Sequence, residues 1–392
     1  MTRAMHFNEA EYVRRQAMVR QSMTDRGIDL LIVSDPCNLY YLCGYDAWSF
    51  YVPQVLLLGH EGGPVWIGRA MDAAGAKITT RLPADDIRAY GDEYVQSATR
   101  HPVDFIIEEI RARGWGSARI GLEIGNYYLG ARAYLAFADA FVPDQMVDAS
   151  LLVNWVRSVK SPAELDYMRQ AARIVEGAMQ AAYDTIRPGV RECDAAAEIY
   201  RALIGGTSDY GGNYASSPPL MPSGDQVHTP HLSWTDQPYQ AGAQVNLELV
   251  ASRHRYHTPL GRSVLLGAPS PELRRLEAAL CDGIEAALAF IRPGVTAAEI
   301  DAVWQEAAGK HGVRKAARCG YSIGIAYPPT FGEQTISIRP GDETEMRAGM
   351  TLHLMPAVWL GSESLVMTEP FIVTDQGAEC LCRFPRRLAV IS

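Results

Sequence analysis

The sequence predicts an α+β protein of two domains, in which the second domain is a duplication of two α-plus-β halves related by a pseudo-twofold axis. Three observations lead to this prediction. The chain has 392 residues, which is long for a single hydrophobic core. Helix and strand patterns alternate in its first part. The motif IRPGV occurs at residues 186–190 and again at residues 291–295.

The first domain is predicted over residues 1–155 and has the pattern of an α/β protein. Apolar spacing predicts a helix over residues 8–26, and the segment PVDFIIEEIRARG predicts another. Short apolar runs predict buried strands at residues 29–35, 54–59, 64–68 and 118–123. Because these strands alternate with helices, we expect a mixed or parallel sheet.

The second domain is predicted over residues 156–392, and the repeated sequence pattern at its helix N-termini indicates the duplication. The segment SPAE offers Ser161 as N-cap and Glu164 as its capping-box partner, and SPEL repeats the start at Ser270. Each long helix ends at an IRPGV motif and is followed by a second helix. Thr296 and Glu299 form the capping box of the last one.

Composition excludes several classes of protein. The net charge of −9 disfavours nucleic-acid binding, which needs a basic surface. No apolar run reaches the ~20 residues of a membrane span, and the first residues lack the apolar core of a signal peptide. The seven cysteines include no CxxC pair, which favours reduced thiols. The sequence therefore predicts a cytoplasmic protein without nucleic-acid or membrane partners.

A carboxylate interrupts the apolar strand QVNLELV. This residue, Glu248, faces the same side as Val250, and the strand returns as RYHTPLGRS after a turn near residues 251–255. On the returning strand, alternation places His257 on one face with Pro259. An unpaired carboxylate is costly inside an apolar strand, so we predict that Glu248 is functional.

The second half repeats this layout. A glycine-punctuated strand, RCGYSIGIAYPP, precedes GMTLHLMP and LVMTEPFIVT, which are predicted to pair as a second hairpin. Alternation places His353 with Met355 on one face, and Met367 with Glu369 on one face.

These motifs resemble the M24-type pita-bread superfamily of prolidase, aminopeptidase P, methionine aminopeptidase and creatinase, over nearly the whole chain. The resemblance implies a pita-bread catalytic domain behind a creatinase-type amino-terminal domain. In the peptidases, five side chains hold two metal ions. Proline has no ligating side chain, and Met and Tyr are poor ligands for hard divalent cations, so no metal and no cofactor is expected. The five positions fall on Glu248, Pro259, Tyr321, Met355 and Glu369.

Within this superfamily, RYHTPLGRS, FGEQTISIR and TLHLMPAVW resemble the ectoine hydrolases. The resemblance implies metal-independent hydrolysis of the cyclic amidine ectoine to N-acetyl-2,4-diaminobutyrate. An amidinium carbon already carries positive charge, so a carboxylate attracts it, whereas two divalent ions would repel it. Three alternatives stay open: a creatinase-like amidinohydrolase, a metal-dependent Xaa-Pro aminopeptidase or prolidase, and a non-catalytic binding protein. Acceptance of hydroxyectoine, and a different metal site built from the histidines, also stay open.

The resemblance implies four catalytic residues. Glu248 is the electrostatic partner of the amidinium or the nucleophile, and His231 is the general acid/base that protonates the leaving ring nitrogen. Glu369 orients water or the second amidine N–H, and Tyr321 supplies a hydroxyl to the tetrahedral intermediate.

Six further residues are expected to bind substrate. His257 and His353 face the same cavity, while Arg69 and Arg339 are candidates for the substrate carboxylate, because guanidinium groups bind carboxylates in a bidentate manner. Creatinase-like proteins are dimers in which one amino-terminal domain covers the partner's site. We therefore expect a homodimer with Trp48 and Tyr51 lining the partner's cavity.

Overall fold

The computed structural model of the chain describes residues 5–360 and 363–391. The chain divides into two compact units, residues 1–157 and residues 158–392. The boundary predicted between residues 155 and 156 stays a prediction. No helix within the described ranges is both long and apolar enough to cross a membrane.

The first unit contains a mixed sheet, as the alternating pattern predicted. Its strands lie in the order β4-β3-β2-β1-β5-β6. Strands β1, β2 and β3 are antiparallel neighbours, whereas β4, β5 and β6 add in parallel. The elements in chain order are α1 (Glu9–Asp25), β1 (Leu30–Val33), α2 (Pro36–Cys43), β2 (Val55–Gly59), β3 (Val65–Arg69), α3 (Ala73–Thr79), β4 (Ile87–Tyr90), α4 (Pro102–Ala112), β5 (Ile120–Leu122), α5 (Ala131–Ala140), β6 (Met146–Asp148) and α6 (Leu152–Val156).

Helices α4 and α5 cover this sheet. Ile106 and Ile110 of α4, and Phe137 of α5, belong to the same buried cluster as Leu30 and Ile32 of β1. Each buried aliphatic side chain contributes about 1.5–3 kcal/mol relative to an exposed one. The apolar runs identified in the sequence are therefore the residues that bind sheet and helices together.

The second unit begins with the predicted helix pair. Helix α7 (Pro162–Thr185) starts at Ser161, whose side chain accepts from the backbone N–H of Glu164 while the Glu164 carboxylate accepts from the N–H of Ser161. Helix α8 (Glu192–Gly205) follows. The pair recurs as α9 (Pro271–Phe290), capped by Ser270, and α10 (Ala297–Gly309), with the Thr296 capping box.

The two IRPGV turns have the same conformation. Gly189 and Gly294 adopt left-handed φ values of 87° and 92°. Each glycine also donates its backbone N–H to a carbonyl from a later segment, Tyr239 in the first half and Met346 in the second. The motif recurs because both turns need a residue without a Cβ at the same place.

Strands follow each helix pair. The two predicted hairpins are confirmed: β7 pairs with β8 in antiparallel register, and β11 pairs with β14 in the same manner. The main sheet runs β15-β14-β11-β9-β8-β16, with β7 on β8 and β10 on β9. The strands are β7 (Gln244–Arg253), β8 (Tyr256–Leu265), β9 (Gly320–Tyr327), β10 (Thr330–Ile338), β11 (Thr351–Leu354), β12 (Val358–Leu360), β13 (Glu363–Leu365), β14 (Glu369–Thr374), β15 (Gly377–Cys380) and β16 (Ala389–Val390).

Candidate active site

The β7–β8 hairpin holds Glu248 in the middle of strand β7. Glu248 lies opposite Gly261, and the tight turn uses left-handed φ values at His254 and Arg255. On the free side of β7, the backbone N–H and C=O groups of Glu248 bond to those of Leu220 at 2.9 and 3.0 Å. The backbone at Glu248 is therefore fixed from both sides, which sets the direction of its side chain.

The carboxylate of Glu248 lies in a protein environment that disfavours its charge. The side chain keeps partial solvent exposure, because it lines a recess, but protein atoms surround it. Burial raises the pKa of Glu248 to about 7, against smaller opposing effects of a hydrogen bond from Tyr321 and the charge of Lys315. Glu248 is therefore a group that changes charge near neutral pH.

Tyr321 links Glu248 to His353. Tyr321 lies on β9 and His353 lies on the neighbouring strand β11, where the two residues are direct cross-strand partners. The hydroxyl of Tyr321 is 3.2 Å from Nδ1 of His353, and the two rings meet edge to face at 5.4 Å. Burial lowers the pKa of His353 to about 3, so this imidazole is neutral at neutral pH.

The proton positions in this cluster depend on one another. The Tyr321 hydroxyl has one proton and donates it either to Glu248 or to His353. When Glu248 is charged, the hydroxyl donates to the carboxylate and accepts from the Nδ1–H of His353. When Glu248 is protonated, the hydroxyl donates to Nδ1, and Nε2 carries the imidazole proton. The charge of Glu248 therefore decides whether Nε2 of His353 donates or accepts.

Nε2 of His353 has no hydrogen-bond partner among the residues that the structure describes, although it is buried. A buried polar atom without a partner costs about 1–3 kcal/mol. Such an atom next to a perturbed carboxylate is a common sign of a functional site.

A recess opens beside Glu248. Its empty space, part of which is open to solvent, is about 210 Å³. The lining is mostly apolar, and the carboxylate is the charged group in it. Its walls include Leu220, Pro222, Thr229, Pro230, Trp359 and Val366. A mostly apolar recess with one carboxylate favours a small ligand that carries positive charge.

His231 follows two residues of the recess wall in the sequence. It is exposed, and it directly follows Thr229 and Pro230, which form part of the wall. The backbone carbonyl of the next residue, Leu232, accepts from the N–H of Met221 at 3.0 Å, which ties this loop to the strand that flanks Glu248. The imidazole is therefore close in sequence to the recess and open to solvent.

Glu369 was expected to orient water or an amidine N–H, but its carboxylate contacts two arginines. Its side chain is 1% exposed, and Oε1 lies 2.6 Å from Nη2 of Arg262 and 3.4 Å from Nε of Arg386. Burial raises the pKa of Glu369, while the two guanidinium groups oppose this rise. Because Glu369 already has two cationic partners, we assign it a structural role.

Arg262 uses all its donors to hold this region together. A guanidinium group has five N–H bonds, and here each one has an acceptor. Four of the acceptors are backbone carbonyls, and the fifth is Glu369. The distances are 2.8 Å to Pro385, 2.8 Å to Gly261, 2.6 Å to Thr368, 3.0 Å to Phe384 and 2.6 Å to Oε1 of Glu369.

His257 does not face a ligand. Its Nδ1 lies 2.8 Å from the carbonyl oxygen of Arg255, and its Nε2 accepts from the backbone N–H of Ser216 at 3.0 Å. Burial lowers the pKa of His257 to about 3. Both ring nitrogens are therefore occupied by the backbone, and the expected substrate-binding role is replaced by a structural one.

The two arginines expected to bind a carboxylate lie in different units of the chain. Arg69 already pairs with Asp92 through two bonds of 2.7 and 3.0 Å, and it donates to the Tyr51 hydroxyl at 3.0 Å. Arg339 is exposed just after β10. In the first unit, Trp48 and Tyr51 are 57% and 64% exposed.

The donor set of this unit does not fit the metal site of a peptidase. Pro259 offers no donor, Tyr321 is bonded to His353 and Glu248, and Glu369 is paired with Arg262. Within residues 5–360 and 363–391, no group of three or more His, Cys, Asp or Glu side chains is arranged to hold a metal ion.

Two residues of the cluster were missed in the sequence. The amine of Lys315 donates to the carbonyl of Ala357 at 2.5 Å and lies 5.5 Å from the centre of the Trp359 ring. Trp359 itself lines the recess with Glu248. Lys315 stands in the basic segment RKAAR, which is typical of a solvated loop, so no local signal identified it. The segment PAVW, which ends at Trp359, contributes to the family resemblance, but its sequence pattern does not predict that Trp359 lines the recess.

Family models match both parts of the chain. The model described as creatinase/prolidase N-terminal domain matches residues 15–159, and the model of metallopeptidase family M24 matches residues 166–375. Two curated relatives are each 43% identical to this chain and cover 99% of both sequences. They are the ectoine hydrolase of Halomonas elongata and an uncharacterized hydrolase/peptidase, y4tM, of Sinorhizobium fredii.

Solved structures show the same fold. Dipeptidase PepE from Mycobacterium ulcerans superposes with a TM-score of 0.81 at 24% identity, covering 98% of this chain and 99% of its own. A prolidase from Thermococcus sibiricus gives a TM-score of 0.82 at 19% identity, covering 98% of this chain and 100% of its own. The predicted α+β architecture, a pita-bread domain preceded by a creatinase-type domain, is confirmed.

Proposed function

Because this chain belongs to metallopeptidase family M24 and carries a creatinase/prolidase amino-terminal domain, we propose that it is a hydrolase that opens ectoine to N-acetyl-2,4-diaminobutyrate. The observation that carries this proposal is the 43% identity to an ectoine hydrolase over 99% of both chains. The geometry supports the same choice, since the recess presents one carboxylate and mostly apolar walls.

Glu248 is the group that faces the amidinium. Burial disfavours the charged form of Glu248 in the free protein, so a cation that enters the recess stabilises that charged form. Hydrolysis adds the hydroxyl of water to the amidine carbon, breaks one ring C–N bond and places a proton on the departing nitrogen. Glu248 acts in this step either by stabilising the positive carbon or by attacking it.

Tyr321 and His353 complete the hydrogen-bond path. While Glu248 is charged, Nε2 of His353 accepts, so this nitrogen can accept a hydrogen bond that orients the attacking water or an amidine N–H. His231 is proposed to deliver the proton to the departing ring nitrogen. The side chains of His231 and Glu248 thus serve opposite ends of one step.

We further propose that the reaction needs no metal. The argument rests on the donor set, because Pro259 has no ligating atom and Glu369 is already held by Arg262. It also rests on the substrate, whose positive carbon needs no Lewis acid. No step of the mechanism above is assigned to an ion.

A homodimer with composite sites, in the cytoplasm, is the remaining part of the proposal. Exposed aromatic side chains at Trp48 and Tyr51 form a surface suited to a second copy of the chain. All seven cysteines are free thiols, which fits a reducing compartment. Light scattering tests the dimer. Mixing inactive Arg69 and Glu248 variants tests shared sites, because only composite sites let hybrid dimers regain activity.

The main experiment follows ectoine by NMR with purified protein, before and after treatment with a chelator. We expect ring opening at an unchanged rate after chelation. His231→Ala should slow it by ~100-fold or more through loss of acid/base catalysis. Creatine and an Xaa-Pro dipeptide are the comparison substrates. Activity that is lost on chelation and restored by one divalent ion, or a preference for the dipeptide, would replace this proposal with a peptidase.

A further inference from the structure

Trp359 stands across the same recess as Glu248 and has an unused donor. It lies on β12 (Val358–Leu360) and lines the recess. Its indole Nε1 is buried, and within the described part of the chain it has no hydrogen-bond acceptor. An indole N–H can only donate, so its natural partner is an acceptor such as a carboxylate oxygen.

Lys315 places a positive charge behind this indole. Its amine bonds to the carbonyl of Ala357, two residues before Trp359, and lies 5.5 Å from the indole ring. The amine therefore anchors the segment that carries Trp359 and places a positive charge near the indole ring. Burial lowers the pKa of Lys315, while the nearby carboxylates of Asp301 and Glu248 oppose that effect.

We propose that Trp359 binds the carboxylate of the substrate through its indole N–H, with Lys315 as a positioning residue behind it, while Glu248 binds the cationic amidine. This inference rests on the proposed function and specifies its substrate class: a small zwitterion, with both charges on one ring, in preference to a cation alone. It also supplies a carboxylate-binding group that is independent of Arg69 and Arg339.

The physical basis is the arrangement of charge. Glu248 is the charged group of the recess lining, and the indole N–H of Trp359, with the Lys315 amine 5.5 Å from its ring, is a donor in the same lining, so a zwitterion can be attracted by both groups. A cation without a carboxylate would leave the indole N–H unpaired in the complex. A site that is built to pair a buried polar group discriminates strongly against a ligand that lacks the matching atom.

The test compares ectoine with two analogues on the unmodified protein: the same cyclic amidine without its carboxylate, and ectoine with a carboxamide in that position. We expect kcat/KM to be at least ~10-fold lower for the carboxylate-free ring and intermediate for the amide, which accepts a hydrogen bond but has no charge. Equal kcat/KM for all three compounds would overturn the inference without any mutation.

Trp359→Phe then assigns the effect to the indole N–H. The phenyl ring keeps most of the apolar wall, so KM for ectoine should rise by about 10- to 100-fold, with kcat changed much less. The KM for the carboxylate-free ring should change by much less than the KM for ectoine. The control is Trp304→Phe in α10, because the N–H of Trp304 is also buried without a partner but the ring packs on Gly283 of α9. This control should leave the substrate preference unchanged.

Lys315→Met and Lys315→Arg separate positioning from charge. We expect Lys315→Met to raise KM for ectoine and to move the acidic limb of the pH profile to higher pH, because a cation near Glu248 is lost. Lys315→Arg should restore most of both properties. A Trp359→Phe protein that keeps the preference for ectoine overturns this inference alone. An unmodified protein that neither binds nor hydrolyses ectoine overturns the proposed function as well.

Discussion

Glu248 and Glu369 lie in the same unit and on positions that a peptidase would use for metal, but their surroundings differ. Glu369 is 1% exposed and has two guanidinium partners, Arg262 and Arg386. Glu248 is partly exposed to a recess, and the hydrogen bond that it receives comes from a neutral hydroxyl on Tyr321. Burial raises the pKa of both carboxylates, but two guanidinium groups oppose the rise at Glu369, whereas a neutral hydroxyl and the smaller effect of the Lys315 charge oppose it at Glu248.

The difference indicates how a metal-binding frame can serve a cationic substrate. A carboxylate that the protein neutralises holds strands together and has no capacity left for a ligand. A carboxylate without a guanidinium partner, such as Glu248, keeps that capacity, and burial raises its pKa to about 7. The two glutamates are therefore assigned different roles, structural for Glu369 and catalytic for Glu248, because guanidinium groups lie beside Glu369 and not beside Glu248.

The largest expected effect comes from removing the partner of Glu369. Arg262→Met leaves a buried carboxylate with only the more distant Arg386, and four backbone carbonyls lose their donor. We expect the free energy of unfolding to fall by about 3–5 kcal/mol, measured by denaturant titration. Arg201→Met, an exposed position of α8, is the control and should change it by less than ~0.5 kcal/mol. A loss below ~1 kcal/mol for Arg262→Met would mean that the two glutamates do not differ as described.

The matching change at the other carboxylate should affect rate and spare stability. Glu248→Gln keeps the shape and removes the charge, so the rate on ectoine should fall by ~100-fold or more. Glu248→Asp keeps the charge but shifts it, so its activity should be low rather than absent. Steady-state kinetics measures both, with the exposed Glu306→Gln as control. Near-native kcat in Glu248→Gln would place the chemistry on another strand.

The raised pKa of Glu248 gives the next effect. The free enzyme needs the carboxylate form, so kcat/KM should fall about tenfold for each pH unit below about 7. A bound amidinium favours the charged form, so the acidic limb of kcat should lie at lower pH than that of kcat/KM. Measuring kcat and kcat/KM as functions of pH across the acidic and neutral range tests both expectations. A kcat/KM profile that stays flat through the weakly acidic range would contradict the pKa argument.

The smallest effect is expected for Tyr321→Phe. One hydrogen bond to Glu248 and one to His353 are lost, which should lower the rate by roughly fivefold, corresponding to about 1 kcal/mol. The hydroxyl holds the pKa of Glu248 down, so its removal should shift the acidic limb to higher pH. Tyr134→Phe on α5 is the control. An unshifted limb would show that the hydroxyl does not act on the carboxylate.

Local signals made much of the fold predictable. The capping boxes at Ser161 and Thr296, the ends of the long helices at both IRPGV motifs and the two hairpins depend on residues close in sequence, and all are confirmed. Strand β10 was not predicted, because its pairing with β9 contains register shifts that break the alternation. Strand β16 was missed too, since it is two residues long and pairs with β8 across a long stretch of chain.

The candidate site was predictable where a residue contradicts its local pattern. Glu248 is a charge in an apolar strand, and that conflict identified it. His257 showed no such conflict, and its satisfaction by the backbone of Ser216 depends on a loop brought in from elsewhere. The role of Lys315 was not predicted, because a lysine among basic neighbours fits the pattern of a solvated loop. Its burial depends on tertiary structure, which the local sequence does not indicate.

The arrangement around Arg262 has a consequence for synthesis of the chain. Two of its acceptors, Phe384 and Pro385, lie 122 and 123 residues further along the sequence. At a translation rate of ~5–20 residues per second, this arginine waits on the order of ten seconds on the ribosome before those carbonyls exist. During that interval the guanidinium of Arg262 stays hydrated, and it cannot be buried with all its native acceptors. The second unit is thus expected to reach its native state late, after most of its own length has been synthesised, and a nascent chain paused before residue 384 should be a client for chaperones.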